Sequence, residues 1–505
     1  MPAGTEDVGT ESPQEMTLSQ TELLARYPGE HAVSADAIRA CWEGAVLIVS
    51  DDDPTGTQAV RNVIVLTSWQ IPDFEWAYAE IEKGHGPPAV FVETNSRSLG
   101  PQDAAERNAE IVRNSIAAAR HAGIRVRFAS RSDSTLRGHF PAETDVIAAT
   151  LAELGEPEIT AVLLAMAFPE AGRVTIGGVH YLRGPGDQLV GAGESEFARD
   201  ASFSYRSSRL ADYAVERSGR EIKVTELDLH AVRAGPDAVA GKLLRLANGS
   251  LVAVDSVCED DLRAVALGAL RSGTNFLPRC GPSFVRALIG QAPGAPLTRA
   301  ETRAGSRPCA LGGLIVVGSH VSLSTRQLEH LRLHAPGTVF VEMCVDDLFD
   351  ATSSGTGHSR SAASIAASIA ASVAKSNVVL YSSRTQRAGQ DAASSLRIAR
   401  TVSRGLTRIV AEVVDAVTPR FVIAKGGITS HDIARDGLRM RRAVVAGCLQ
   451  PGIVALWRPA DGPVADVPYA VFPGNVGDDT TLVEVVDLLS SPQLVSSQAS
   501  RGEAR

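Results

Sequence analysis

Short apolar runs rich in β-branched residues, each ended by a polar turn, recur along this chain and restrict it to a layered αβ architecture. The first is Ala45-Val46-Leu47-Ile48-Val49, followed by Asp51-Asp52-Asp53-Pro54-Thr55-Gly56-Thr57. A run of that length ended by a Pro/Gly turn reads as a buried parallel strand. The three carboxylates then stand at its carboxyl end, where open α/β sheets bind ligands. Crowded carboxylates repel, so the packing calls for a cation, a hydroxylated ligand or a shared proton. Taken alone, the segment fits an Asp-rich solvated turn equally well.

Further strands are expected at Asn62–Leu66, Ala89–Glu93, Arg125–Ala129, Thr160–Ala165 and Leu251–Val254. Pro101–Ala122 carries an Ala-rich helical pattern between them, which argues for a doubly wound sheet. Residues 170–220, rich in Gly, Arg and Ser, are expected to form loops and insertions around a site. Gln291–Pro308 lacks apolar periodicity and reads as a linker. Beyond it the alternation restarts with Leu314–Val317, Thr338–Glu342, Asn377–Tyr381 and Arg420–Ala424, with helices over Thr325–Leu333, Ser361–Ala374 and Thr481–Leu489. The expectation is an α/β protein of two domains, each an αβ-layered sheet, with the active site in the cleft between them. The predicted boundaries are a weakly ordered extension over 1–40, an N-terminal domain over 41–290, a linker over 291–308, a C-terminal domain over 309–490 and a frayed tail over 491–505.

A net charge of −9 with no basic block argues against nucleic acid as a bulk partner. The six cysteines are scattered without zinc spacing, which suits reduced thiols. No apolar leader or membrane-length run occurs, so a cytoplasmic protein without a membrane partner is expected. Phosphate-loop, dinucleotide-fingerprint, nucleophile-elbow and HExxH patterns are absent, which sets aside the common enzymes built on them.

Two more strand ends carry chemistry-bearing residues. Arg131-Ser132-Asp133-Ser134-Thr135-Leu136-Arg137-Gly138-His139 combines a carboxylate, hydroxyls and guanidinium groups, a mixture suited to a polyhydroxylated anion. Thr94-Asn95-Ser96-Arg97-Ser98 follows a third strand; Gly172-Arg173-Val174-Thr175 and His180-Tyr181 could add anion or hydroxyl contacts, and a structural role fits each at least as well. In the second half, Gly318-Ser319-His320-Val321-Ser322, Lys425-Gly426-Gly427-Ile428-Thr429-Ser430 and Pro473-Gly474-Asn475-Val476-Gly477 are glycine turns ahead of helices, with the middle helix expected to open at His431. Backbone amides at such turns suit anions, and glycine allows close approach.

Taken in order, the Asp52–Gly56, Arg131–Gly138, Gly426–Ser430 and Pro473–Gly477 motifs resemble the four-carbon acid sugar kinase family over roughly residues 45–490. Pro54 and Thr57-Gln58 depart from the family's usual first motif and point to a divergent branch. The resemblance implies an ATP-dependent kinase phosphorylating a hydroxyl of threonate, erythronate or a 3-oxo-tetronate. It implies Asp52, Asp53 and Asp133 as catalytic candidates, and Arg97, Arg137, Ser134 and Thr135 as substrate contacts. Ser319, Ser322, Gly426, Gly427, Thr429 and Gly474 would take ATP, with Mg²⁺ arriving on the nucleotide rather than in a protein metal cage. The implied partners are the sugar acid and ATP, with a homo-oligomer left open, and the two domains would close about the linker to exclude water. Two alternatives stay open: an ATP-independent isomerase, aldolase or dehydratase of sugar acids, and a non-catalytic ligand-binding homologue.

Overall fold

The computed structural model describes residues 18–42, 44–303, 309–345, 361–384, 392–450 and 452–490. Eight strands of the first half line up in parallel. They are β1 (Ala45–Asp51), β2 (Val63–Leu66), β3 (Ala89–Glu93), β4 (Arg125–Arg131), β5 (Ala161–Ala165), β6 (Val224–Leu227), β7 (Ser250–Val254) and β8 (Phe276–Cys280). Their spatial order is β6-β7-β5-β8-β4-β1-β3-β2. The second half adds β9 (Leu314–Val317), β10 (Val339–Met343), β11 (Val378–Ser382), β12 (Val422–Lys425), β13 (Arg442–Gln450), β14 (Val454–Pro459) and β15 (Tyr469–Phe472). Continuous apolar sequence suits such strands because helices cover both faces; every residue of β1, from Ala45 to Asp51, is buried.

The sheets of the two halves join edge to edge into one of 15 strands, continuing β2-β13-β14-β15-β12-β9-β11-β10. The seam is antiparallel, pairing Leu66 with Arg442 and Val63 with Val445. Trp457 Nε1 donates to Thr57 Oγ1 at 2.8 Å, adding a buried hydrogen bond between the halves. The halves are thus tied by a strand ladder as well as by the connecting chain.

Of the expected linker, residues 304–308 lie outside the described residues, and the remainder is docked. Leu297 N donates to Cys448 O at 2.8 Å, and a short helix spans Arg299–Arg303 with Thr302 buried. The expected weak order over 1–40 gives way, across 18–40, to short elements packed on the first half. Ser34 caps the helix Ala35–Arg39, Ile38 is buried, and Arg233 Nη1 donates to Pro28 O at 2.7 Å. Residues 1–17 and the tail 491–505 lie outside the described residues. The region 170–220 contains a small antiparallel sheet, in which Arg173–Ile176, Val179–Arg183 and Gln188–Gly191 pair successively, and Leu18–Ser19 joins its edge. The six cysteines are unpaired, and no described helix is long and apolar enough to cross a membrane.

Candidate active site

Adjacent parallel strands bring the first three clusters together by register: Asp51 pairs with Glu93 on one side and Arg131 on the other. Beyond β1 the chain turns at once, because Pro54 presets the first residue of the 3₁₀ helix Pro54–Ala59. Asp53 caps that helix, its Oδ1 accepting from Thr55 N at 2.9 Å and Thr55 Oγ1 at 2.6 Å. After β3, Asn95 takes a left-handed conformation (φ 47°) and swings Arg97 back over the aspartates. Arg97 grips Asp52 with Nη2 to Oδ1 at 2.6 Å and Nε to Oδ2 at 3.2 Å, and reaches Asp53 Oδ2 with Nη1 at 3.4 Å. After β4, buried Leu136 is also left-handed (φ 69°), and that bend returns Arg137 to Asp133, Nε to Oδ2 at 2.7 Å.

These clusters and the glycine turns of the second half line one cleft of about 760 Å³. Asp53, Arg97, Asp133, Ser134, Thr135 and Arg137 face it from the first half, and Ser319, Gly426, Gly427 and Gly474 from the second. Asp52 is buried behind Arg97 and is not part of the lining. Thr429 is buried beneath the turns, where a Cβ at Gly318 would come 2.2 Å from its Oγ1. Ser322 stands exposed on the first turn of the helix Ser322–His334, outside the lining. The middle helix opens at Gly427, not at His431, so the glycine pair is itself the helix start. His431 lies buried, with neither ring nitrogen bonded to any described residue.

The electrostatics divide the acids into two groups. Burial pushes Asp53 up, but Arg97, Arg131 and the Thr55 hydroxyl and amide outweigh it and hold the carboxyl below its usual value. Burial opposes Asp133 likewise, yet Arg137, Arg97 and Thr135 hold it well below. Both lining acids are therefore ionised hydrogen-bond acceptors at neutral pH. Behind them, burial raises Asp51 to about 7 against the pull of Arg131, with the charge of Asp52 adding to the rise. Burial and Asp51 also raise Glu93 well above its ordinary value. The acids whose charged forms burial disfavours, Asp51 and Glu93, thus form a layer beneath the cleft.

Three residues outside the expected set support this arrangement. Arg131, only 3% exposed, pairs with Asp51 and donates to Asp53 O. Glu93 is the final residue of its apolar run, a placement visible in the sequence once β3 is set beside β1. Lys425 closes the run before Gly426; its Nζ donates to Pro473 O at 3.0 Å and lies 3.8 Å from the Phe472 ring centroid. Burial lowers this lysine to about 7.

The second half tests its fit for a nucleotide through its backbone. A Cβ at Gly474 would lie 2.5 Å from Ser319 Oγ, and one at Gly426 (φ 121°) would lie 3.2 Å from Ser319 Cβ. At both glycines a side chain would crowd Ser319, so the Gly426 and Gly474 turns meet it as bare backbone, and backbone amides at such turns suit phosphate groups.

Two family models match this chain: a sugar-binding N-terminal domain over residues 47–288 and a nucleotide-binding C-terminal domain over residues 314–482. The chain belongs to the four-carbon acid sugar kinase family. Within the family, it is 28% identical over 307 residues to a D-erythronate kinase of Heliobacterium modesticaldum, covering 60% of this chain and 64% of that one. It is 30% identical over 247 residues to a D-threonate kinase of Cupriavidus necator, covering 48% and 53%. Each match thus spans less than two thirds of the relative's length. Among solved structures, a Salmonella typhimurium LT2 protein described under a tRNA synthase name superposes with a TM-score of 0.61 at 16% identity, covering 87% of this chain and 98% of that one. A Haemophilus influenzae protein superposes with a TM-score of 0.56 at 16% identity, covering 88% and 100%. At such identity the likeness concerns the fold alone.

Proposed function

We propose that this protein transfers the γ-phosphoryl group of ATP to a hydroxyl of a four-carbon sugar acid of the threonate, erythronate or 3-oxo-tetronate kind. The observation that carries the reading is the meeting of Asp53 and Gly427 across one cleft. A Cβ on Gly427 would lie 2.7 Å from Asp53 Oδ2. An acid built to accept from a hydroxyl therefore abuts a backbone turn built to approach phosphate. The names of the two relatives and of the two matched domains support the same reading.

In this reading the sugar acid lies against Asp53, Arg97, Asp133, Ser134, Thr135 and Arg137. The nucleotide lies against Ser319, Gly426, Gly427 and Gly474, with Thr429 holding the turns from below. Ser322, exposed outside the lining, is not needed as a contact. Phosphoryl transfer is mostly positioning and charge neutralisation, so fixed ionised groups matter more than a strong base. Asp53 is held on Oδ1 by Thr55, while Oδ2, which takes only a long contact from Arg97 Nη1 at 3.4 Å, keeps a lone pair to accept from the attacking hydroxyl. Asp52 acts one step removed, clamping Arg97. Mg²⁺, carried by the nucleotide, would neutralise phosphate charge, and Asp53 offers the kind of oxygen donor it prefers.

The test is ADP release by the full chain with a panel of four-carbon acids and matched polyols. Acid-dependent ADP formation is expected, and no stimulation by any acid refutes the reading.

A further inference from the structure

Three arginines line the cleft among the described residues: Arg97, Arg137 and Arg173. Two are already neutralised. Arg97 pairs with Asp52 at 2.6 Å and Asp53 at 3.4 Å, while Arg137 pairs with Asp133 at 2.7 Å and Asp200 at 3.5 Å. Arg173 differs: its Nη1 donates to the carbonyl of Ala171, its Nε is buried without a hydrogen bond, and it makes no ion pair with any described residue. Burial lowers its pKa, with Asp133 offsetting only in part and Arg137 adding to the fall. A cation held in that way is destabilised until an anion arrives.

Its backbone is firmly set. Arg173 N donates to Phe168 O at 3.0 Å and Phe168 N donates to Arg173 O at 2.8 Å, closing a tight loop at the start of the hairpin. Phe168 and Phe197 line the cleft beside it, and Arg137 stacks on the Phe197 ring at 5.1 Å. Apolar walls strengthen an ionic contact by excluding water.

We propose that Arg173 is the residue that binds the carboxylate of the sugar acid and so selects acids over neutral polyols. The inference rests on the sugar-acid kinase reading and deepens it. Arg97 and Arg137 then serve to hold Asp52, Asp53 and Asp133 in place, and Arg173 supplies, among the described residues, the lining charge that awaits a partner. An arginine fork suits a planar carboxylate through two parallel hydrogen bonds. A nucleotide phosphate offers the same kind of anion. The position of Arg173 on the first-half hairpin, within electrostatic reach of Asp133 and Arg137, favours the carboxylate.

The experiment is calorimetric titration of the full chain, wild type and Arg173→Gln, with D-threonate, D-erythronate, threitol, erythritol and ATP, alongside ADP release. The substitution is expected to weaken acid binding by about 10- to 100-fold. Polyol and ATP binding should stay as in wild type, which also shows the variant is folded. Arg173→Lys, which keeps the charge and loses the fork, should recover part of the acid affinity. Acid affinity unchanged in Arg173→Gln overturns the proposal, as does equal weakening of acid and polyol, or weakening of ATP alone. A wild type that phosphorylates acids while Arg173→Gln binds them normally removes this assignment only. A wild type that neither binds nor phosphorylates any acid removes the kinase reading with it.

Discussion

Replacing Gly427 by alanine isolates the contact on which the two-sided site depends. The φ of Gly427 lies outside the left-handed region, so the backbone accepts alanine without strain. It is also the first residue of a helix, where any gain from alanine stays within the roughly 0.5–1 kcal/mol that alanine holds over glycine in a helix interior. The new methyl group, however, would stand 2.7 Å from Asp53 Oδ2 and 3.4 Å from its Cγ. The carboxylate must then retreat by several tenths of an ångström. It cannot swing freely, because Thr55 N at 2.9 Å, Thr55 Oγ1 at 2.6 Å and Arg97 Nη1 at 3.4 Å hold it. Overpacking of this kind costs about 1–3 kcal/mol, which outweighs the helix gain. Misplacing a reacting group by a fraction of an ångström to 1 Å lowers turnover by about 10- to 100-fold. The assay is steady-state ADP release at saturating acid and ATP, with thermal unfolding in parallel. Combining Gly427→Ala with Asp53→Asn should give a loss far smaller than the product of the two, because both act through one carboxylate. A variant that is as active as wild type and more stable would refute the contact, and so would fully multiplicative effects.

Other expectations concern the charged layer. Gly56→Ala would place a Cβ 2.2 Å from Arg131 Nε and 2.4 Å from Asp51 Oδ2, breaking a buried ion pair. A loss of about 3–5 kcal/mol is expected, read as a marked drop in the unfolding temperature, and an unchanged midpoint counts against the described packing. The pH profile follows from the lowered Asp53 and Asp133. A depressed carboxyl stays ionised as pH falls through its ordinary value of about 3.9 and is protonated only below it. Stability and activity from these groups are thus present above that value and lost beneath it. We expect kcat/KM free of any limb from these two carboxyls between about pH 5 and 8. In Arg137→Gln, burial is left less opposed at Asp133, so an acid limb should move upward into that window. A profile left unchanged by Arg137→Gln would contradict the electrostatics assigned to Asp133.

Much of the site was legible because apolar runs end where polar clusters begin. Asp51 through Asp53, Thr94 through Ser98 and Arg131 through His139 follow β1, β3 and β4, and parallel pairing alone brings them together. The helix expected over Pro101–Ala122 is found over those residues. Other strands hid themselves. β8 carries Pro278 and a fully buried Arg279, whose guanidinium lies 5.0 Å from the centre of the Phe140 ring, and neither residue type suggests a central strand. The joining of the two sheets rests on β13 and β14, whose side chains give no local sign of a partner hundreds of residues away. That Arg173 has no ion-pair partner among the described residues is likewise a tertiary fact. Its sequence context marks a turn, but only the folded chain shows that Arg97 and Arg137 already have acidic partners.

The most direct test of the central claim, that Asp53 and the glycine turns form one phosphoryl-transfer site, is acid-stimulated ADP release by wild type and Asp53→Asn. Stimulation by at least one four-carbon acid in wild type, reduced by about 100-fold or more in the variant, is the predicted result. Equal turnover in the two proteins would remove Asp53 from the site, and no stimulation in either would contradict the claim itself.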